Sequence, residues 1–229
     1  MDFAVQHIRI RREWSTMKRW ILPVGLVAAA LMISLIVYGR MPDQVPVHWN
    51  TYGEVDRYAS KAFALFIMPA MMLLVWLSIK IAPIIDPKRA NLKKNIGEID
   101  TINFFVLLVL LGIHVMTIVY GLGYEFDMSI IAPIIVGLMF VVIGNYLPRF
   151  RHNYFFGVKT PWTLANEEVW RKSNQIGGRM FFFGGLVVIL SVFLPRMWML
   201  VILFATIVVC SAVPAVISYI LYRKNQSAS

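Results

Sequence analysis

"TINFFVLLVLLGIHVMTIVYG", residues 101–121, runs for 21 residues without a charge. As an α-helix it would extend about 30 Å, the thickness of a bilayer's hydrocarbon core. Five other stretches match it in apolarity and length: residues 20–38, 63–85, 128–147, 176–194 and 197–222. Hydrophobic residues make up 59% of the 229-residue chain and charged ones 15%, more apolar surface than one water-soluble core would hide. None of the six runs keeps the two-residue alternation of a barrel strand, so only helices would satisfy their backbone in lipid. The expectation is an all-α, polytopic integral membrane protein with six transmembrane helices.

The distribution of charge orients it. The net charge is +10, and 17 of the 22 lysines and arginines fall in the two terminal segments and in the connections 86–100 and 148–175, taken with the adjoining helix start at Arg179. Four (Arg40, Arg57, Lys61 and Arg196) fall in the alternate connections, and Lys80 lies near a helix end. That bias places both termini in the cytoplasm, in a bacterial cell membrane, and assigns the basic excess to topology and anionic lipid rather than to direct nucleic-acid binding. The first run is too long for the apolar part of a signal peptide and lacks a small-residue cleavage site, so it reads as an uncleaved anchor. Cys210 is the single cysteine and lies within the sixth run, which excludes an intrachain disulfide.

These boundaries divide the chain into a basic segment (1–19), a two-helix domain (20–85) with an outer loop (39–62), a cytoplasmic linker (86–100), a four-helix domain (101–222) with an inner loop (148–175), and a tail (223–229). Gly137 and Gly144 are seven residues apart, as are Gly177 with Gly184 and Gly178 with Gly185. Nearly two helical turns separate each pair, so the fourth and fifth helices are expected to pack through these glycines. Pro69, Pro133 and Pro214 fall within helices and favour kinks.

No catalytic constellation is legible. Paired intramembrane aspartates, a zinc-binding His-Glu-x-x-His helix and a phosphate-cradling glycine loop are all missing from the sequence, so neither an enzyme nor a cofactor is expected. The polar feature at membrane depth is in residues 101–121 themselves. Asn103 and His114 lie within about 20° of each other around a helix, with Thr117 flanking them. An ionisable side chain there points to a proton or polar-substrate contact, but a neutral histidine bonded to a neighbouring helix is the plainer reading.

In the outer loop, Pro42 and Pro46 stiffen the entry, Asn50 to Gly53 form a turn, and Trp49, Tyr52 and Tyr58 suit the headgroup level. His48 stands near Asp43, Glu54 and Asp56 in sequence, a set that suits pH sensing better than a metal. An ion pair of Asp56 with Arg57 or Lys61 is the plainer role for these charges. In the inner loop, Thr160-Pro161 and Thr163 offer a capped start to a short helix reaching about residue 175, which Gly177-Gly178 would end. Trp162 and Trp170, eight apart, would share its face, either turned toward lipid or serving as a partner platform.

Two stretches carry a resemblance. "YGRMPDQVPVHWNTYGEVDRYASK" (38–61) resembles the two-helix domain of unknown function often found in SdpI-type proteins. "GNYLPRFRHNYFFGVKTPWTLANEEVWRKSNQIGG" (144–178) is similar to the hallmark of the SdpI/YfhL bacterial immunity family. The matching positions are Gly144, Asn145, Pro148, Asn153, Phe156, Gly157, Thr160, Pro161, Trp162, Thr163, Leu164, Val169, Trp170, Gly177 and Gly178. Lys159 stands where the pattern expects arginine, which forfeits a bidentate fork.

The resemblance implies a membrane protein that protects a bacterium from a secreted, membrane-active peptide toxin. It also implies signalling, by holding a small cytoplasmic repressor at the membrane, with no oligomeric state implied. Toxin would meet the outer loop through Pro46, His48, Trp49, Asn50, Gly53, Asp56 and Arg57. The inner motif, including Asn145, Lys159 and Trp162, would dock the partner. The competing reading is a proton-linked or small-molecule transporter, or a membrane enzyme, whose polar pocket holds Asn103, His114 and Asn145.

Overall fold

The computed structural model describes residues 2–227, with side chains from Arg19 onward; Ala228 and Ser229, the end of the expected tail, and the side chains of the basic segment before Arg19 lie outside the described residues. The elements are α1 (Asp2–Val37), β1 (Gln44–Trp49), β2 (Val55–Ser60), α2 (Lys61–Ile85), α3 (Arg89–Lys94), α4 (Ile96–Gly121), α5 (Met128–Tyr146), α6 (Pro161–Ala165), α7 (Glu167–Leu190) and α8 (Arg196–Ser227). Helices α1, α2, α4, α5, α7 and α8 are long and apolar enough to cross a membrane. They are the six expected spans, several extended by one or more turns beyond the apolar run.

By contacts the chain divides into two units. The first takes residues up to Val47, with Arg57–Leu77 and Val106–Glu125. Its helices meet through small residues, which let backbones approach where lipid supplies no hydrophobic drive. Ala30 and Ala64 are at most 2% exposed and sit among Leu65, Met72 and Leu107. Ser34 ties three helices together, its Oγ lying 2.7 Å from the Leu65 carbonyl on α2 and 3.0 Å from His114 Nε2 on α4. Met41 and Val45 cap this core against Gly121, where a Cβ would come within 2.5 Å of the Met41 methyl.

The second unit takes His48–Asp56, Ser78–Phe105 and the chain from Phe126 on. Its spine is α5 against α7, packed as the glycine spacing predicts. A Cβ on Gly137 would lie 2.7 Å from the Gly185 carbonyl, and one on Gly144 would lie 2.6 Å from that of Gly178. The other pair points elsewhere: Gly184 faces Thr206 and Cys210 on α8, and Gly177 faces Leu147, Val158 and Pro214. Lys80 and Asp100 pair at 3.0 Å between α2 and α4, each about one-fifth exposed.

Several expectations are corrected. The outer loop, expected as a loop with a turn at Asn50 to Gly53, is a two-stranded β-hairpin around that turn. Bonds from Lys61 N to the Asp43 carbonyl and from Asn50 N to that of Glu54 bracket its ladder and set His48 opposite Asp56. Pro46 is tolerated because every strand of a two-stranded sheet has an open edge. Ion pairs follow this register: His48 with Asp56 at 2.6 Å and Lys61 with Asp43 at 2.9 Å, not Asp56 with Arg57 or Lys61.

The inner helix also differs from expectation. It ends after five residues at Ala165, and Asn166, extended at φ −141°, caps a new helix that runs unbroken through Gly177-Gly178. Those glycines are contact surface, not a stop. Because Asn166 resets the direction of the chain, Trp162 and Trp170 do not share a face: Trp162 packs on Tyr219 with centroids 5.0 Å apart, while Trp170 is 1% exposed.

Candidate functional site

Two polar clusters lie at opposite ends of α5, both within the second unit. At the α5 start, Asp127 caps the helix by accepting from Ser129 N at 2.9 Å and from Ser129 Oγ at 2.5 Å. The Ser129 hydroxyl, and more weakly the Arg196 guanidinium, hold the Asp127 carboxyl below the usual carboxylate range. Arg196 Nη2 donates to Ser129 Oγ at 3.0 Å, and the guanidinium lies 5.7 Å from the centre of the Tyr52 ring.

The hairpin tip is built to reach this cap. Asn50 Oδ1 accepts from Tyr52 N and Glu54 N, and Gly53 adopts φ +76°, which a side chain would strain. A Cβ on Gly53 would also stand 2.8 Å from Asp127 Oδ1. The result is an exposed edge in which Tyr52, 59% exposed, lies beside a guanidinium with donors to spare. Tyrosine and arginine together are the chemistry that anchors peptide segments. Beside it, His48 and Asp56 are exposed and Trp49 is half-buried; Pro46 is buried and Arg57 exposed.

At the other end, residues 147–166 are held by a network of side chains on backbone. Asp86 accepts from Lys88 N and Tyr154 N, and Asn95 bridges the Arg149 carbonyl and Arg151 N. Asn91 donates to the His152 carbonyl. Asn153, fully buried, accepts from Phe155 N and Phe156 N and donates to the Arg151 and Phe156 carbonyls. Asn174 accepts from Val158 N, and Trp170 Nε1 donates to the Phe150 carbonyl at 3.0 Å. Gly157 turns at φ +131°, where a Cβ would press on the Trp170 ring and Asn174 Oδ1 at 2.6 to 2.7 Å.

Thr160 and Thr163 form a capping box, and Thr160 Oγ1 lies 2.9 Å from Ser218 Oγ, fastening α6 to α8. Pro161 starts α6 and Pro148 rests against Gly178, while Phe156 stacks on Phe150. Asn145 is exposed and accepts from Arg149. His152 stacks on Trp170, with Lys88 Nζ 2.7 Å from its Nδ1. Burial first, and then the Lys88 charge, hold its pKa below the usual imidazole range against the opposing pull of Glu167, the Leu164 carbonyl and Asp86. The neutral ring therefore accepts from the lysine at Nδ1.

The polar residues expected at membrane depth, Asn103, His114 and Thr117, are all buried on α4. His114 is satisfied on one side. Its Nε2 lies 3.0 Å from Ser34 Oγ, which is also within reach of the Ala30 and Leu65 carbonyls, and its Nδ1 has no hydrogen-bond partner among the described residues. Thr117 bonds back to the Ile113 carbonyl. Asn103, in the second unit, is fully buried, and neither end of its amide has a hydrogen-bond partner among the described residues.

Sequence reasoning missed Asp127, Ser129 and Arg196 at the tip, and Asp86, Asn91, Asn95, His152 and Asn174 in the network. Asp-Met-Ser before an apolar run was a readable cap signal. The network partners carried none.

Six apolar helices, together with the likeness given next, make this a multi-pass bacterial membrane protein, and two family models match parts of it. Residues 25–73 match a domain of unknown function, DUF1648, and residues 149–218 match the SdpI/YfhL protein family. The hairpin lies inside the first match and most of the loop network inside the second. Over 208 residues the chain is 26% identical to Immunity protein SdpI of Bacillus subtilis (strain 168), covering 91% of this chain and 98% of that protein. No solved structure matches it.

Proposed function

We propose that this chain is a membrane immunity protein that shields the cell carrying it from a secreted, membrane-active peptide, acting by binding and not by catalysis. The near end-to-end likeness to an immunity protein is the observation that carries this reading. In this proposal the hairpin faces outward and the 147–166 loop faces the cytoplasm, as the lysine and arginine bias requires. The peptide meets the hairpin tip, where Tyr52 and Arg196 offer an aromatic face and unused guanidinium donors.

The test is expression in a sensitive bacterium challenged with secreted membrane-active peptides. Survival is expected with the wild-type chain. Tyr52→Ala combined with Arg196→Ala is expected to lower protection about tenfold at equal membrane abundance, the scale of one lost hot-spot pair. Undiminished protection would remove the tip from the mechanism.

A second role concerns the loop end. Arg149, Arg151 and Arg171 alternate with Glu167 and Glu168 around an open cavity of about 530 Å³, a mixed-charge surface suited to a protein partner. We propose that a small cytoplasmic repressor docks there. For toxin to drive that docking, it must bind the docked state better than the free one. Repressor recovered with membranes is expected to rise on toxin addition; equal recovery with and without toxin would reject the signalling role and leave immunity standing.

A further inference from the structure

Below the 147–166 loop, the second unit contains a cavity of about 450 Å³, within the range of about 300–1,000 Å³ typical of small-ligand sites. Its walls come from α4, α5, α7, α8 and the loop, through residues such as Ile102, Ile143, Phe156, Phe181 and Pro214. Polar side chains on the wall are already engaged. Ser211 donates to the Ile207 carbonyl, Cys210 to that of Met180, and Thr160 is held by Thr163 and Ser218. To a ligand the interior is therefore hydrocarbon.

Lys159 is the exception. It lines the same cavity, is exposed, and has no acidic partner among the described residues. Its position is fixed, because Val158 N is bound by Asn174 and Thr160 N by Thr163 on either side. An apolar chamber with one uncompensated ammonium at its wall is complementary to a molecule with a hydrocarbon tail and an anionic head. A chamber within membrane-spanning helices is surrounded by such molecules, and a lysine binds phosphate as a point charge without needing a fork.

We propose that this cavity is a binding site for an anionic phospholipid of the host bilayer, one acyl chain lying in the chamber and the headgroup phosphate paired with Lys159. The site shares Lys159 with the inner motif expected to dock a partner, but it lies in a different cavity from the Arg149–Glu168 surface and does not depend on the toxin or repressor readings.

The test uses the full chain purified in neutral detergent, equilibrated with equal amounts of phosphatidylglycerol and phosphatidylcholine, with bound lipid counted by native mass spectrometry. One phosphatidylglycerol per chain is expected, in preference to phosphatidylcholine. Lys159→Gln is expected to lower its retention about fivefold, the scale of one interfacial lysine, while Lys159→Arg retains it. Arg171→Gln, whose side chain lines the other cavity, is expected to leave retention unchanged. Ala215→Phe, which narrows the chamber, is expected to reduce retention of either lipid; should that variant fold poorly, the exposed Lys159 substitutions still decide the matter. Equal retention of the two lipids, unchanged retention in Lys159→Gln, or displacement of the lipid by inorganic phosphate alone would overturn the proposal.

Discussion

His152 and Asn103 are two buried polar side chains with opposite fates. His152 is spent on structure: its ring lies between Trp170 and the Lys88 ammonium and is held neutral. Its folded pKa lies below its unfolded value of about 6.5, so the stability it contributes is complete above that pH and is lost as pH falls through the folded pKa. The melting temperature of the purified protein is expected to fall as pH is lowered from about 7.5 to about 5.5, and His152→Gln should flatten that slope. The same slope in both proteins would place the pH sensitivity elsewhere. Asn103, in contrast, is buried with no hydrogen-bond partner for its amide among the described residues. Asn103→Leu is expected to leave stability unchanged or raise it by about 1 kcal/mol, because the unmet polar atoms are removed together. A thermal melt checks this, and a loss of protection in a variant that melts no lower would mark Asn103 as functional.

At the level of elements, glycine position matters more than glycine number. Gly144→Ala is expected to cost about 1–3 kcal/mol, because the new methyl meets the backbone of α7 and cannot be relieved by a rotamer change. Gly112→Ala on α4 should instead gain up to about 1 kcal/mol, since nothing lies within 4 Å of its would-be Cβ and alanine is the better helix former. Denaturant titration of both variants in one detergent gives the comparison. The spans and the α5–α7 contact were legible in the sequence because apolar length and seven-residue spacing are local signals. The hairpin was less so. Val45 and Val47 alternate with polar neighbours, yet Pro46 between them argues against a strand unless both edges are known to be open. The loop network was not legible at all: Asp86 and Tyr154 are 68 residues apart, and Asn95 and Arg149 are 54 apart. No periodicity joins such pairs. The double glycine misled because the same residue serves as helix stop and as packing surface, and only the neighbouring helix decides which.

For the whole molecule, the proposed orientation makes a direct prediction. The single cysteine is buried, so the wild-type chain gives little background to an impermeant thiol reagent. Thr51→Cys at the hairpin tip is expected to label in intact cells, and Ala165→Cys only after permeabilisation. The reverse pattern would invert the topology and with it the placement of both partners. The glycine contacts bear on how those partners would communicate. Helix α5 runs from the Asp127 cap to the start of the loop, and bare backbone joins it to α7 at two levels, Gly137 with Gly185 and Gly144 with Gly178. Rods meshed at two heights cannot slip past one another by a fraction of a turn without driving carbonyl into carbonyl. The cheap motion left is a shared tilt, so a push at the tip would arrive at the far end as the swing of a lever rather than the stroke of a piston.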